Sequence, residues 1–214
     1  NIGKGQLYGL IGPNGAGKTT IFNLLTGVYK PDEGIVKLDG QDITGKKTID
    51  INKAGIARTF QNIRLFSQMS VLDNVKVGLH NRHHYNTLEG ILRLPRYRKV
   101  EKEMNERAME LLKVFGLEKD AEYLASNLPY GQQRKLEIAR ALATDPKLLL
   151  LDEHTAALDP SAARKVLEQT DYFAKDEKLC TMMITHNMKA ALEHGNRTIL
   201  MQGGQIKMDI RGRE

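Results

Sequence analysis

Short apolar runs, each about the length of a strand, recur in the first quarter and the last third of the chain. Runs of this kind, without polar alternation, are typical of strands that are buried on both faces of a parallel sheet. We predict strands at residues 7–11, 35–38, 56–60, 147–151, 179–184 and 198–201, with a last strand near Ile206. Helix-prone segments lie between them at 18–26, 131–143, 160–174 and 188–194. Strands that alternate with helices predict an α/β core.

The pattern changes between residues 62 and 124, where two segments, 71–79 and 101–115, are predicted to be helical. In the second segment the apolar positions follow helical spacing, at Met104, Ala108, Leu111, Leu112 and Phe115. We therefore predict a helical subdomain inserted into the α/β core. Turn residues on both sides of the strand at 35–38 predict a small antiparallel β subdomain.

These patterns predict three parts along the chain. Residues 1–61 would form the first part of the core together with the β subdomain, and residues 62–130 the helical subdomain. Residues 131–214 would begin with a helix and complete the core.

The composition is that of an ordinary globular protein, with 41% hydrophobic and 27% charged residues in a chain of 214. The longest apolar block, residues 148–151, is far too short to cross a bilayer, and there is no signal-peptide pattern, so we expect a cytoplasmic protein. Cys180 is the only cysteine, which excludes an internal disulfide and a cysteine-cluster metal site. It lies in an apolar run, and we expect a small buried side chain there.

The net charge of +6 changes this picture little. Part of the excess of basic residues is concentrated between residues 93 and 102, and acidic residues follow it closely in the sequence. Such a mixture is typical of a solvated helix face rather than of a nucleic-acid surface. The basic residues concerned are Arg93, Arg96, Arg98, Lys99 and Lys102. Nucleic acid is therefore not an expected partner.

A glycine-rich stretch joins the first predicted strand to the first predicted helix. Residues 12–19 fit the spacing of glycine, four residues and then Gly-Lys-Thr, which is typical of a loop that cradles phosphate groups. Glycines let successive backbone N–H groups turn toward phosphate oxygens at the positive end of a helix. Lys18 would contact the β- and γ-phosphates, and the Thr19 hydroxyl would bind Mg²⁺. The residues expected to hold the nucleotide are Asn14, Gly15, Ala16, Gly17, Lys18, Thr19 and Thr20.

The alternative is a simple glycine turn beside an exposed lysine. The flanking segments favour the phosphate cradle, because a strand before the loop and a helix after it are the order that such a cradle requires. The predicted fold class is therefore an α/β P-loop NTPase with a RecA-like core.

A pair of carboxylates, Asp152 and Glu153, directly follows the strand at 147–151. Ligands of α/β folds bind at the carboxyl ends of the strands, so we expect both acids to face the site. Asp152 would hold Mg²⁺, directly or through water, and Glu153 would act as a general base toward the attacking water. Two acids that merely cap the next helix are the alternative.

A phosphate cradle with an acidic pair leaves kinases, GTPases and ATPases open. The base-reading motif of GTPases, Asn-Lys-x-Asp, is not matched, because Asn52 and Lys53 are followed by Ala54 and Gly55.

Three further stretches resemble the ATP-binding-cassette ATPases. Residues 128–142, which begin Leu-Pro-Tyr-Gly-Gln, resemble that family's signature motif and its helix. Residues 157–159 resemble the loop across the family's dimer interface, and His186 resembles its switch histidine. Gln61 matches the glutamine that joins the core to the helical subdomain. With the cradle and the acidic pair, these motifs follow the family's order over nearly the whole chain.

This resemblance implies ATP and Mg²⁺ as cofactors, with two ATP molecules enclosed head to tail between two chains. Tyr130, Gly131 and Gln132 would contact the γ-phosphate of the ATP held by the opposite chain. His186 would hydrogen-bond the γ-phosphate, and Gln61 would sense Mg²⁺ and the water. The implied catalytic residues are Glu153, His186 and Gln61, and the implied metal-binding residues are Thr19, Gln61 and Asp152.

Several positions depart from the family's usual residues. Pro129 replaces a serine and offers neither a hydroxyl nor an N–H, so we expect weaker closure of the dimer. Tyr130 replaces a glycine, as in some importer ATPases, and His154 stands where a proline usually follows the glutamate. The family's adenine-stacking aromatic precedes the phosphate loop, where this sequence has eleven residues. Tyr8 falls within the strand and does not suit that role, so we expect a further segment upstream.

Residues 9–20, 55–66 and 130–134 and the long helical insert resemble the ATPase of branched-chain amino-acid importers. From residue 152 onward the resemblance shifts toward ATPases paired with tryptophan-type or uncharacterised solute-binding proteins, which leaves a divergent relative and a recombined gene both open. An ATPase of another cassette system, including a non-transport one, is the alternative.

The resemblance implies the ATP-hydrolysing subunit of a bacterial importer, peripheral on the inner face of the cell membrane. Its partners would be integral-membrane permease subunits and a second ATPase subunit, either identical or paralogous. A periplasmic or lipid-anchored solute-binding protein would act with it indirectly.

Overall fold

The computed structural model describes residues 2–3, 5–80, 92, 94–152, 179–185, 188, 191–192 and 195–211. The chain divides into two compact units, Asn1–Gln61 with Pro146–Glu214, and Asn62–Asp145. The division predicted from the sequence, with a helical part at 62–130, stays a prediction; the second unit contains these residues together with the helix that begins at Tyr130. That helix packs against the other helices of the second unit, which is why the unit extends to Asp145.

A six-stranded sheet forms the centre of the first unit. Its strands are β1 (Leu7–Ile11), β4 (Ile56–Arg58), β5 (Leu148–Asp152), β6 (Cys180–Ile184), β7 (Arg197–Gln202) and β8 (Gln205–Arg211). Among the strands that the structure describes, the order across the sheet is β4-β5-β6-β1-β7-β8, and β7 with β8 is the one antiparallel pair in it. Every residue of β1, β5 and β6 is buried, as their apolar runs predict. The α/β prediction is confirmed.

Parallel pairing brings the carboxyl ends of β1 and β5 to one edge of this sheet. Both strands pair with β6, which lies between them, and Leu10 of β1 and Asp152 of β5 each lie opposite Ile184. Because neighbouring strands are about 4.8 Å apart, these two carboxyl ends are about 10 Å apart. The loop after β1 and the acid at the end of β5 therefore open onto the same edge.

The described elements that accompany the sheet include two helices and a small hairpin. Helix α1 (Lys18–Leu25) follows β1, and α2 (Thr48–Ala54) precedes β4. Between them, β2 (Lys37–Leu38) pairs antiparallel with β3 (Gln41–Asp42), in the region where the turn pattern predicts a β subdomain. Helix α2 is absent from the sequence prediction, because its seven residues bury one side chain, Ile51, and so give no amphipathic pattern.

The described residues of the second unit include three α-helices. They are α3 (Val71–Leu79), α4 (Pro95–Val114) and α5 (Tyr130–Ala143). Four of the five apolar residues predicted to share a face, Met104, Ala108, Leu111 and Leu112, are buried along α4, and Phe115 is buried directly after it. Helix α4 begins six residues before its predicted start, because Pro95 fixes a helical φ in its first turn, while the exposed charged residues there give no periodic signal.

Close packing and a buried amide hold α3 in the second unit. A Cβ at Gly78 would lie 2.4 Å from the carbonyl oxygen of Arg140, so glycine allows α3 and α5 to approach. Asn74 is fully buried, and its amide donates to the carbonyls of Phe66 at 3.0 Å and Ser70 at 2.9 Å. It also accepts from the Phe66 N–H at 3.0 Å. The segment before α3 is thereby fixed to the helix.

Other predictions have mixed outcomes. Cys180 is buried in β6, as expected, and burial raises the pKa of its thiol to about 12. The predicted helix at 160–174 lies outside the described residues, as does most of the one at 188–194. Within the described ranges, no helix combines the length and the apolar character needed to span a membrane.

Candidate functional site

The loop between β1 and α1 has a backbone that requires glycine. Gly12 and Gly17 have φ values of 151° and 95°, which residues with a Cβ rarely adopt. At Gly12 a Cβ would also lie 2.2 Å from the carbonyl oxygen of Met201. The Gly204 N–H, in the turn between β7 and β8, donates to the Ala16 carbonyl at 3.1 Å. The turn that follows β7, the neighbour of β1 in the sheet, thus supports the loop.

The open side of this loop consists of exposed residues and backbone donors. Asn14 and Gly15 are exposed at its tip, and Thr19 and Thr20 are exposed in the first turn of α1. The first turn of a helix has N–H groups without intrahelical partners, and it carries the positive end of the helix dipole. Gly17 precedes α1 in the left-handed conformation and has no side chain to cap it. The arrangement suits an anion.

Lys18 lies under the loop and is only 5% exposed. Its Nζ donates to the carbonyl oxygens of Gly12 at 2.8 Å and Pro13 at 3.0 Å. The ammonium group is therefore held against the loop by neutral acceptors. A phosphate entering the loop would meet a positive charge that is already in position.

Asp152 is a buried carboxylate at the end of β5, paired with an arginine that the motif analysis does not single out. The Arg58 Nη2 donates to Asp152 Oδ2 at 2.6 Å, and the Arg58 Nη1 donates to Asn23 Oδ1 at 2.6 Å. Asn23 belongs to α1, so one guanidinium connects the helix of the phosphate loop with the carboxylate. The Asp152 N–H also points to the Thr59 hydroxyl, at 3.4 Å.

Gln61 follows the same strand as Arg58. The strand ends at Arg58, two residues before its predicted end at residue 60, and Gln61 is exposed three residues beyond it. The described residues of the first unit thus include the cradle, the carboxylate and the glutamine.

The signature residues belong to the second unit, where Tyr130, Gly131 and Gln132 form the first turn of α5. Tyr130 is 45% exposed, and its hydroxyl accepts from Arg134 Nη2 at 3.1 Å. Pro129 precedes the helix with φ of −54° and ψ of 149°, an extended conformation that the proline ring itself favours. The start of this helix is therefore anchored by its own second turn.

A buried ion pair supports that helix. Arg134 Nη1 donates to Glu137 Oε2 at 2.9 Å, and each side chain is only 2% exposed. Glu137 Oε1 accepts from the Arg64 N–H at 3.3 Å, and the Arg140 guanidinium donates to the Arg64 carbonyl. The signature helix thus holds the start of the segment that follows Gln61 in the sequence. Sequence reasoning missed this pair, because arginine and glutamate three residues apart in a helix usually face solvent.

Two of the predicted catalytic residues, Glu153 and His186, lie outside the described residues, as do His154 and the loop at 157–159. Tyr8, which we do not expect to stack on adenine, is 2% exposed, and its hydroxyl donates to Gln6 Oε1 at 2.8 Å.

A family model described as ABC transporter matches residues 1–156. This match contains the phosphate loop, Gln61, the signature segment and the carboxylate pair. The chain belongs to the ABC transporter family. The expected family resemblance is confirmed, and the fold is that of its ATP-binding cassettes.

Two relatives come from the branched-chain group of this family. The high-affinity branched-chain amino acid transport ATP-binding protein BraF of Pseudomonas aeruginosa is 38% identical over 199 residues, which cover 93% of this chain and 78% of the relative. The corresponding LivG protein of Escherichia coli K12 is 39% identical with the same coverage. These matches confirm the resemblance to branched-chain importers, whereas the tryptophan-type resemblance of the last third stays a prediction.

Solved structures of ATP-binding cassettes share the fold. A cassette of an ABC transporter in its ADP conformation has a TM-score of 0.84 and 33% identity, covering 99% of this chain and 82% of that one. A dimeric bacterial ABC transporter cassette has a TM-score of 0.83 and 28% identity, covering 100% of this chain and 88% of that one.

Proposed function

We propose that this chain is the ATP-binding and ATP-hydrolysing subunit of a bacterial ABC importer for amino acids, of the branched-chain type. The observation that carries the proposal is a phosphate loop with an enclosed lysine, in a chain whose residues 1–156 match the ABC transporter family. The names of two relatives, both ATP-binding proteins of branched-chain amino acid transport, support the solute class.

The loop residues would bind the phosphates of ATP. Backbone N–H groups from Asn14 to Thr20 would donate to the β- and γ-phosphate oxygens. Lys18 would exchange its two carbonyl acceptors for these oxygens, which carry full charge and so form stronger bonds. The glycine conformations at 12 and 17 support this role, because side chains at these positions would not be tolerated.

The donor set near the loop fits Mg²⁺, which prefers oxygen ligands and keeps several waters. The Thr19 hydroxyl, the Asp152 carboxylate and Gln61 would hold it. When bound, Mg²⁺ would neutralise the charge that develops on the transferred phosphoryl group. Asp152 is buried and anchored on one oxygen by Arg58, so its position is set by the protein.

Hydrolysis would require residues of two chains. Glu153 would accept a proton from the attacking water, and His186 would hydrogen-bond the γ-phosphate. Tyr130, Gly131 and Gln132 would present N–H groups from the start of α5 to the ATP of the other chain. A dimeric cassette among the structural relatives supports this arrangement, and a dimeric relative in a post-hydrolysis state, bound to ADP and Pi, supports hydrolysis of ATP by such a dimer.

The partners would be permease subunits, which span the membrane and carry the solute. A second ATPase subunit would be identical or paralogous, and a solute-binding protein would deliver the solute to the permease. The chain would then lie on the inner face of the cell membrane. Relatives named for sulfate/thiosulfate and methionine import, at 34% and 33% identity, make other solutes the alternative.

The test is purification of the chain with the permease encoded beside it, followed by reconstitution into vesicles. We expect co-purification, and ATP hydrolysis that rises when a branched-chain amino acid and its binding protein are present. ATP hydrolysis that rises with a different solute would overturn the assignment to branched-chain amino acids but not the transport role. Robust hydrolysis from a source that encodes no membrane partner would overturn the transport role.

A further inference from the structure

Arg58 is a nearly buried cation between three elements of the first unit. Its side chain is 9% exposed, and its two terminal nitrogens bind Asp152 on β5 and Asn23 on α1, each at 2.6 Å. The guanidinium carbon lies 5.5 Å from the ring centroid of Phe22 and 5.3 Å from that of Phe60. The inner nitrogen, Nε, is buried and has no hydrogen-bond partner in the described part of the chain.

The Asp152 carboxylate thus has a built-in counter-ion. A buried carboxylate is strongly disfavoured unless a cation compensates it, and Arg58 supplies that charge through Oδ2. A divalent cation at the same carboxylate would lie within a few ångströms of the guanidinium. Two positive charges at this distance repel each other strongly in a buried site.

The contacts of Arg58 also reach the two segments that would meet the nucleotide. Asn23 lies in the helix that follows the phosphate loop, and Phe60 directly precedes Gln61. A displacement of the guanidinium away from Asp152 would therefore act on both segments. The unsatisfied Nε means that such a displacement breaks no hydrogen bond at that atom.

We propose that Arg58 is a positioning residue for the metal site, which holds the Asp152 carboxylate through one oxygen and opposes the binding of a divalent cation to it. When a divalent cation binds Asp152, Arg58 would loosen its contact with that carboxylate and would keep its contacts with Asn23 and the rings of Phe22 and Phe60. This inference rests on the proposed role of Asp152 as a Mg²⁺ ligand.

A purely structural ion pair makes a different prediction. If Arg58 only stabilises the fold, its loss lowers the melting temperature by the same amount at every Mg²⁺ concentration. If it competes with the cation, its loss is compensated by Mg²⁺, because the cation then supplies the charge that Asp152 lacks.

The test is thermal melting of the full chain with saturating ADP, first in EDTA and then over a Mg²⁺ titration. Arg58→Gln removes the charge, and Arg58→Lys retains it. Arg197→Gln is the control, because Arg197 also pairs with an aspartate, Asp209, through Nε at 2.6 Å in the same unit.

We expect Arg58→Gln to melt below the wild type in EDTA and to approach it at high Mg²⁺. The Mg²⁺ concentration at the midpoint of the titration should fall about tenfold, because one nearby positive charge no longer repels the cation. Solvent and salt screen this repulsion, which limits the size of the effect. Arg58→Lys should keep a midpoint within about threefold of the wild type, because the charge stays. Arg197→Gln should differ from the wild type equally at all Mg²⁺ concentrations.

A constant gap between Arg58→Gln and the wild type, or a higher midpoint, would overturn the inference. If Arg58→Gln does not fold, a tenfold change of midpoint in Arg58→Lys would overturn it instead. Asp152→Asn separates this inference from the proposed function. An unchanged midpoint in Asp152→Asn would overturn the metal role of Asp152 itself, whereas a weakened midpoint there, without an effect of Arg58→Gln, would overturn only the role of Arg58.

Discussion

Two charged side chains of the candidate site that lie within the described residues, Lys18 and Asp152, are buried together with their partners. Lys18 is held by two loop carbonyls, and Asp152 is held by Arg58. Each ionic group thus has its position fixed by the protein, which is the condition for strong electrostatic stabilisation of a reacting phosphate. Ligand binding at such residues is an exchange of partners rather than an ordering of free side chains.

Replacing Lys18 with alanine should abolish this exchange. Because removal of one preorganised donor commonly costs about 100-fold in turnover, we expect a loss of at least about that size in ATP hydrolysis. The measurement is phosphate release at saturating Mg-ATP. Lys147→Ala is the control, because Lys147 forms an exposed pair with Asp39 in the same unit and should keep wild-type turnover. Equal activity of the two variants would contradict the role of Lys18.

The thiol of Cys180 gives a second prediction at this scale. Burial raises its pKa from 9.0 to about 12, so the folded chain at pH 8 has about 1,000-fold less thiolate than an unfolded one. We expect alkylation by iodoacetamide to be very slow until urea unfolds the protein. Because the pKa of Cys180 is higher in the folded chain, the protonated thiol favours the folded state. Its contribution to the free energy of unfolding is fully present below pH 9 and is lost as the pH rises toward 12. Fast labelling without urea would contradict the buried position.

At the scale of elements, the signature helix α5 depends on a buried charge pair. Arg134 and Glu137 face each other one turn apart, and Glu137 also receives the Arg64 N–H. The pair lies in the same helix as the exposed Tyr130, whose hydroxyl Arg134 contacts. Its geometry therefore fixes both the start of the helix and the segment at Arg64.

Glu137→Gln should destabilise the chain by about 3 kcal/mol, because it leaves the buried charge of Arg134 without its partner. The measurement is the free energy of unfolding in urea. The matched control is Glu110→Gln, since Glu110 pairs with Arg107 at 3.1 Å but both side chains are more than half exposed, at 62% and 51%. That variant should lose at most about 1 kcal/mol. Similar losses in both variants would contradict the importance of burial.

At the scale of the whole molecule, the proposed function makes the chain one half of a dimer. The proposed site would be complete only when the phosphate loop of one copy faces the signature residues of another. Each copy would therefore bind ATP alone but hydrolyse it in a dimer.

Gly131→Glu tests this arrangement, because a carboxylate at the signature would repel the γ-phosphate of the opposite chain. We expect ATP-dependent dimerisation to be lost in analytical ultracentrifugation, while binding of ATP to the monomer stays unchanged. Asn105→Glu adds the same charge at an exposed position of α4 and should dimerise like the wild type. If Gly131→Glu also weakened monomer binding, the assignment of the signature to the opposite chain would be wrong.

The sequence by itself determined the features that depend on local physics. The apolar runs predict buried strands such as 147–151, and the glycines at 12 and 17 predict a loop that only glycine can form. Motif order and spacing are properties of the sequence itself, so they are sufficient to recognise Gln61, Asp152 and the signature segment.

The tertiary structure decided which distant residues meet. Arg58 and Asp152 are 94 residues apart in the sequence and form an ion pair because β4 and β5 are neighbours in the sheet. The position of α5 in the second unit, and the burial of Arg134 and Glu137 within it, likewise depend on how helices pack. Periodicity and turn chemistry act over a few residues, whereas strand order and helix packing set contacts between residues that no local pattern relates.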